Sequence, residues 1–390
     1  YSPDLINHSK YKEIRASMLK GERHPDCSLC WKEEDAGISS RRTNELRYEK
    51  DYFDEVKRWT KEDGSVDESK IGFEFFDLRF GPTCNLKCRS CGPQDSNYWL
   101  DDYVKMNQHK FKNDNEPYVN YYSEKVPLEK RNGKWSFGSK YFKWYEDSTL
   151  LASIYENIDK VKRFYFTGGE PFLIRQQWEI LKVAIDRGVA HQIGIDYNTN
   201  LTQLKPDHLE LWKHFKYVGL GVSIDAVGSA ARYIRFPSDW KDIEAKLKLL
   251  DQAEGNVSMT LTPTISVMNV FEILKLCQWL FLQNFKKIDP VVDLHVLELP
   301  ERLSLQILSK EAKEIVGREY DRFFIWMENN IEQVEVRNKI RSQLEGVLNY
   351  MDAMDKSHLV DVFLSESEKL DNLRGEKFSE ALPEVERLVK

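Results

Sequence analysis

No apolar run in this 390-residue chain approaches the roughly 20 residues needed to span a bilayer. The opening residues YSPDLINHSKYKEIR contain no apolar stretch of the kind that forms a signal peptide. The expectation is a cytoplasmic protein that meets no membrane. Positive charge is also not in excess. The 57 Lys and Arg stand against 64 Asp and Glu, a formal net charge of −7. That balance argues against a nucleic-acid binder, whose footprint is a basic face, although a local basic groove would escape the count. Low-complexity tracts are absent. With 41% apolar and 31% charged residues the chain can bury a core and stay soluble, which excludes a disordered chain.

Cysteine is scarce, and its placement is uneven. Five of the six cysteines fall into two tight groups, Cys27/Cys30 and Cys84/Cys88/Cys91. In an intracellular protein such groups point to metal ligation or redox chemistry before disulfides. Cys277 lies in the apolar helical pattern FEILKLCQWLF and reads as a buried, inert thiol.

Along the chain, residues 1–65 read as charged helices around GERHPDCSLC. The run IGFEFFDLRF (71–80) is a buried strand that ends at the turn Gly81-Pro82. The cysteine triad follows at once. Residues 98–145 form a polar insertion crowded with aromatics. It reads either as a packed mini-core or as a lid over a substrate. From residue 150 helices and strands alternate, ending in the strand VVDLHVLEL (291–299). Counting the strand at 71–80 there are six, which implies an α/β fold with a parallel sheet. The expectation is a partial (β/α)6 TIM-like barrel over 70–299, with an N-terminal Cys-containing segment and a helical C-terminal region over 300–390.

The triad Cys84-Asn-Leu-Lys-Cys88-Arg-Ser-Cys91 places three thiols on one loop. Three thiolates can hold three irons of a cubane cluster and leave the fourth open to an amine and a carboxylate. A structural zinc site would want four ligands, commonly in pairs. A second motif, Thr167-Gly168-Gly169-Glu170, ends a strand at the edge where α/β ligand sites form.

Together these motifs, in this order, resemble the radical S-adenosylmethionine superfamily. The resemblance implies a [4Fe–4S] cluster on Cys84, Cys88 and Cys91, with S-adenosylmethionine chelating its open iron. It places Gly168, Gly169 and Glu170 along the methionyl amine. It places Asn200, Ser223 and Asp225 at strand ends that meet the cofactor or the substrate. Arg235 is either a partner of the cofactor carboxylate or half of a surface salt bridge. Thr264 and Asn269 are weaker candidates. Ser90 stands where many relatives carry a bulky residue before the third cysteine, so no adenine contact is assigned.

The stretch His24-Pro-Asp-Cys27-Ser-Leu-Cys30-Trp31 resembles the auxiliary-cluster region of the twitch/SPASM group, as does Leu370-Asp-Asn-Leu-Arg-Gly-Glu. Cys27 and Cys30 are then ligands of a second iron–sulfur cluster, or of a zinc ion with His24, or a bare redox pair. Members of that group modify peptide or protein side chains, and others act on sugars or small metabolites. The expected partners are a peptide or small-molecule substrate and an electron donor such as a flavodoxin or ferredoxin. RNA modification, and a non-catalytic iron–sulfur protein of the same fold, are the competing readings.

Overall fold

The computed structural model describes residues 6–35, 40, 42–43, 50–67, 73–111, 117–121, 124–138 and 141–390. The chain divides into two compact units, Tyr1–Glu74 with Thr149–Val161, and Phe75–Ser148 with Lys162–Lys390. No helix among the described residues is long and apolar enough to cross a membrane.

The first unit is helical, with helices Ser9–Leu19, Ser28–Asp35, Lys50–Trp59 and Ser148–Glu156. Polar side chains tie it together. Asn7 exchanges two hydrogen bonds with the Val66 backbone at 3.0 and 2.9 Å, and Arg15 donates to Gly64 O and Ile6 O. The segment 149–161, which the sequence places at the start of the β/α rhythm, groups with this unit.

The second unit is built on a parallel sheet. Strand β1 is Phe75–Arg79. The insertion supplies β2 (Tyr118–Tyr121), β3 (Glu124–Arg131) and β4 (Lys134–Phe137). Then follow β5 (Arg163–Thr167), β6 (Gly194–Thr199), β7 (Tyr217–Val222), β8 (Val257–Leu261), β9 (Thr264–Ile265) and β10 (His295–Val296). The main sheet runs β1-β5-β6-β7-β8, all parallel, and β9 pairs with β10. The mixed α/β fold with a parallel sheet matches the expectation. The sixth strand is shorter than its sequence pattern. Backbone bonds run from Met259 to Leu297 (Asp289 N to Met259 O, Asp293 N to Leu261 O, Leu297 N to Ile265 O), but Pro263 lacks the N–H that a continuous ladder needs.

Alternation along each strand sorts side chains onto two faces. One face holds Phe164, Phe166, Ile195, Tyr197, Val218, Leu220 and Leu261, all buried. The helix Arg175–Asp186 covers it, and the Tyr197 hydroxyl donates to Gln177 Oε1 at 2.8 Å. The other face is polar. The strand register lines up Asp77, Tyr165, Asp196, Gly219 and Ser258 in one row, and Asn198, Gly221 and Thr260 in the next. A closed TIM barrel fills this space with branched apolar side chains. Here the inner face is left open for something polar.

The insertion packs on itself. Leu100, Val104, Val119 and Leu128 are buried together, with Tyr103, Phe111, Trp135 and Phe137 against them. Each such aliphatic contributes about 1.5–3 kcal/mol on burial. Its aromatics therefore form a mini-core around the antiparallel sheet β2-β3-β4. Beyond β10, the chain is helical to its end, including Lys310–Asn330, Val334–Asp352 and Val360–Arg374.

Candidate active site

The cysteine loop is the exit of β1. Its geometry is shared with the exit of β5, because the ladder between the two strands continues past both. Phe80 N donates to Thr167 O, Gly169 N to Gly81 O at 2.8 Å, and Glu170 N to Thr83 O at 2.8 Å. The approach is close. A Cβ on Gly169 would lie 2.3 Å from Thr83 O, and one on Gly168, whose φ is +122°, 2.9 Å from Gly81 O. The two glycines are required by the cysteine loop lying on them.

Glu170 is fully buried. Its carboxylate accepts from Asn200 N at 2.7 Å, Thr199 Oγ1 at 2.8 Å and Phe172 N at 3.0 Å. Burial pushes its pKa up to about 7 against these bonds. Its visible work is to fix the end of β6, and so Asn200. Asn200 in turn directs Nδ2 at Cys84 Sγ, 3.7 Å away, and at Asn85 Oδ1.

Across the site, Asp225 and Arg235 form a buried ion pair, Nε to Oδ2 at 2.7 Å, with side chains 1% and 15% exposed. This replaces the surface salt bridge considered from sequence. Arg235 Nη1 lies 3.9 Å from Cys88 Sγ. Burial works against the guanidinium charge, but Asp225 and Cys88 outweigh it and hold the Arg235 pKa above its ordinary value. Asp225 Oδ1 also accepts from Thr264 N, and Asn269 Nδ2 donates to the Asp225 and Thr264 carbonyls. Thr264 and Asn269 thus hold Asp225 in place. Ser223 lines a small hollow with Leu86, Asn200, Asp225 and Arg235.

The thiols themselves differ. Cys88 is buried, whereas Cys84 and Cys91 are half-buried. Burial raises Cys84 to about 12. Cys91 donates to Cys88, which makes Cys88 the more acidic of that pair, and the Arg235 charge adds to the effect. Three thiols on one loop, a buried guanidinium beside one of them, and an amide N–H on another make a donor set that suits a three-cysteine cluster.

Sequence reasoning missed the residues that brace this loop. Trp99 Nε1 donates to Cys88 O at 2.8 Å, Arg89 N to Ile234 O, and Lys87 N to Phe236 O. Arg89 itself is 1% exposed, and reaches Asp371 and Glu376 of the C-terminal region. The sequence shows only an arginine inside the triad and the acids of LDNLRGE, and nothing in either marks the other as its partner.

Beside the loop is a cleft of about 740 Å³. The β1 and β5 exits (Arg79, Gly81, Gly168), the loop (Gln94, Asp95), the insertion (Asn120, Tyr121) and Leu299 after β10 form its walls. It therefore opens on the side of the sheet where the first and last strands do not meet.

The N-terminal pair is different. Cys27 and Cys30 are half-buried at the start of the helix Ser28–Asp35. Both nitrogens of His24 are engaged, Nε2 with Glu13 Oε1 at 3.1 Å and Nδ1 as acceptor from Asp26 N. Among the described residues, no three or more His, Cys, Asp or Glu side chains are grouped so as to hold a single metal ion, at this pair or at the triad. Cys277 is buried in the helix Glu272–Gln283, and burial raises its pKa to about 12, as an inert thiol requires.

The family model described as the radical SAM superfamily matches residues 78–280, just over half of the chain. The chain belongs to that superfamily, and its members are enzymes. Among solved structures it is similar to hexahistidine-tagged anSMEcpe with bound AdoMet, at 14% identity and TM-score 0.42, over 67% of this chain and 60% of that one. It is also similar to Streptococcus suis SuiB bound to S-adenosylmethionine, at 13% identity and TM-score 0.39, over 82% and 60%. A third, SuiB bound to the precursor peptide SuiA, shares 10% identity at TM-score 0.35, over 80% and 62%. The chain thus spans about three-fifths of the length of these structures. No curated protein matches it.

Proposed function

We propose that Cys84, Cys88 and Cys91 hold a [4Fe–4S] cluster, and that the enzyme uses it with S-adenosylmethionine to modify a peptide or protein side chain. Bound there and reduced by a flavodoxin- or ferredoxin-type donor, the cluster supplies the electron that splits the sulfonium into methionine and a 5′-deoxyadenosyl radical, which takes a hydrogen atom from the substrate. The observation that carries this reading is the convergence of the triad, Asn200, Ser223 and Arg235 on one end of the parallel sheet.

Each residue has a task in this reading. Asn200 orients Cys84 through its amide. Arg235, fixed by Asp225, keeps a positive charge against Cys88. Gly168 and Gly169 hold the rim low enough for a methionyl group to lie over it. Glu170 positions Asn200 from behind. The polar inner face and the adjoining cleft admit a polar chain, and SuiB and anSMEcpe have been solved with peptides. Cys27 and Cys30 offer half of a four-ligand set and take no part in this step.

The test is anaerobic reconstitution with iron, sulfide, S-adenosylmethionine and dithionite. Wild type is expected to release 5′-deoxyadenosine, and Cys84→Ala is not. Equal release by both would sink the proposal. Hydrogen transfer from a deuterated sugar but from no peptide would move the substrate class to carbohydrates.

A further inference from the structure

The loop Cys84–Cys91 carries two cations: Arg89 is tied directly to residues near the end of this sequence, and Lys87 shares Asp102 with Arg374. Arg89 Nη2 lies 2.5 Å from Asp371 Oδ1 and 3.0 Å from Glu376 Oε2. Its Nε donates to Tyr233 O at 3.1 Å, and its guanidinium stacks 3.6 Å over the Tyr233 ring. The Tyr233 hydroxyl donates to the same Asp371 oxygen, at 3.0 Å. The other Asp371 oxygen accepts from Phe378 N at 2.6 Å. Lys87 Nζ meets Asp102 Oδ1 at 2.8 Å, and Arg374 Nε meets Asp102 Oδ2 at 3.0 Å. Arg374 is sandwiched between Trp99 and Phe236, 4.6 and 5.2 Å from their ring centres.

The helix Val360–Arg374 is shaped for this task. Asp371 and Arg374 are three residues apart and so share a face. Gly375, at φ +66°, ends the helix and turns the chain so that Glu376 comes back to Arg89. Three cations (Lys87, Arg89, Arg374) face three acids (Asp102, Asp371, Glu376) in a dry setting. The Arg89 side chain is 0% exposed, and those of Arg374, Asp371 and Glu376 are 1%, 12% and 11% exposed. A generic packing contact between a helix and a loop would not need a balanced set of buried charges, which is costly to desolvate.

We infer that Asp371 and Glu376 are positioning residues of the cluster site, which hold Arg89 between Cys88 and Cys91 and thereby set the loop's geometry and the charge next to the cluster. This rests on the reading that the triad holds a cluster. Loss of one acid leaves the charge network behind the loop one negative charge short, which favours the cluster's reduced, more negative state. The expected effect of Asp371→Asn or Glu376→Gln is therefore a positive shift of the cluster's reduction midpoint, together with iron lost more readily.

The experiment uses the full chain reconstituted anaerobically. It compares wild type, Asp371→Asn, Glu376→Gln, the exposed control Glu368→Gln on the same helix, and Cys84→Ala. Iron per chain is counted before and after dilution, and the midpoint is read by redox titration with electron paramagnetic resonance. Support is a positive shift and faster iron loss in either acid variant, with Glu368→Gln at wild-type values. If Asp371→Asn does not fold, Glu376→Gln, which leaves the stronger partner in place, decides. Wild-type midpoint and iron retention in folded acid variants would overturn the inference. Full iron retention in Cys84→Ala would instead overturn the cluster reading beneath it.

Discussion

Cys88 is buried, with Arg235 3.9 Å from its sulfur and Trp99 Nε1 donating to its carbonyl. Cys27 and Cys30 are half-buried, and the histidine next to them is engaged by Glu13 and Asp26. Both groups have spacings that suit a metal. The difference lies in what surrounds them. The triad sits in a frame of backbone ladders, buried ion pairs and glycines, whereas the N-terminal pair has none of these around it among the described contacts. A frame of that kind spares bound metal the cost of ordering the loop. The lesson is that cysteine spacing nominates a site, while the surroundings tell two candidates of suitable spacing apart.

That contrast can be broken by substitution. The largest effect belongs to Cys84→Ala, where both iron content and 5′-deoxyadenosine release should fall to background, measured by iron assay and chromatography. Next is Arg235→Ala, which leaves the Asp225 carboxylate buried without its cation. Breaking such a pair costs about 3–5 kcal/mol, to be read as a lower urea midpoint, and Arg235→Lys should recover part of it.

Glu170→Gln probes the dryness of the frame. The Glu170 carboxyl titrates near 7 folded, against 4.5 as its ordinary value. Between those pH values the folded chain keeps a proton that the unfolded chain releases. Its contribution to stability is therefore complete below pH 4.5 and is lost as pH rises to 7, by about 3 kcal/mol. The wild-type minus Glu170→Gln difference in urea stability should show that slope, and a flat difference across the window would contradict it. The smallest effect is expected from Cys27→Ala with Cys30→Ala. Iron per chain and 5′-deoxyadenosine should stay at wild-type levels. A drop in iron would erase the contrast and give the N-terminal pair a cluster of its own.

Much of this was legible in the sequence because it is local. The run IGFEFFDLRF, the triad and Thr167-Gly-Gly-Glu170 each lie within a few residues, and their order names the sheet edge. The parallel sheet followed from alternating helices and strands. The sixth strand was over-read, because VVDLHVLEL shows its own pattern but not that Pro263 interrupts its partner. The bracing partners of Glu170 were not legible either. An acid after two glycines does not name its protein partners, and only the fold shows its oxygens accepting from Asn200, Thr199 and Phe172. Arg235 was caught between two readings because its partner Asp225 is ten residues back, across a helix. The brace on Arg89 was invisible for a stronger reason: charged residues on a C-terminal helix look the same whether they face water or a buried guanidinium.

The partners of Arg89 lie 282 and 287 residues further along the chain. A polypeptide made from its N-terminus therefore has its three cysteines long before it has the residues that brace them. During synthesis the loop emerges, the sheet behind it can assemble, and the brace is still missing until the closing stretch of this sequence is being added. The fold thus orders events in time, and the loop reaches its braced form only after nearly all of these residues have been joined.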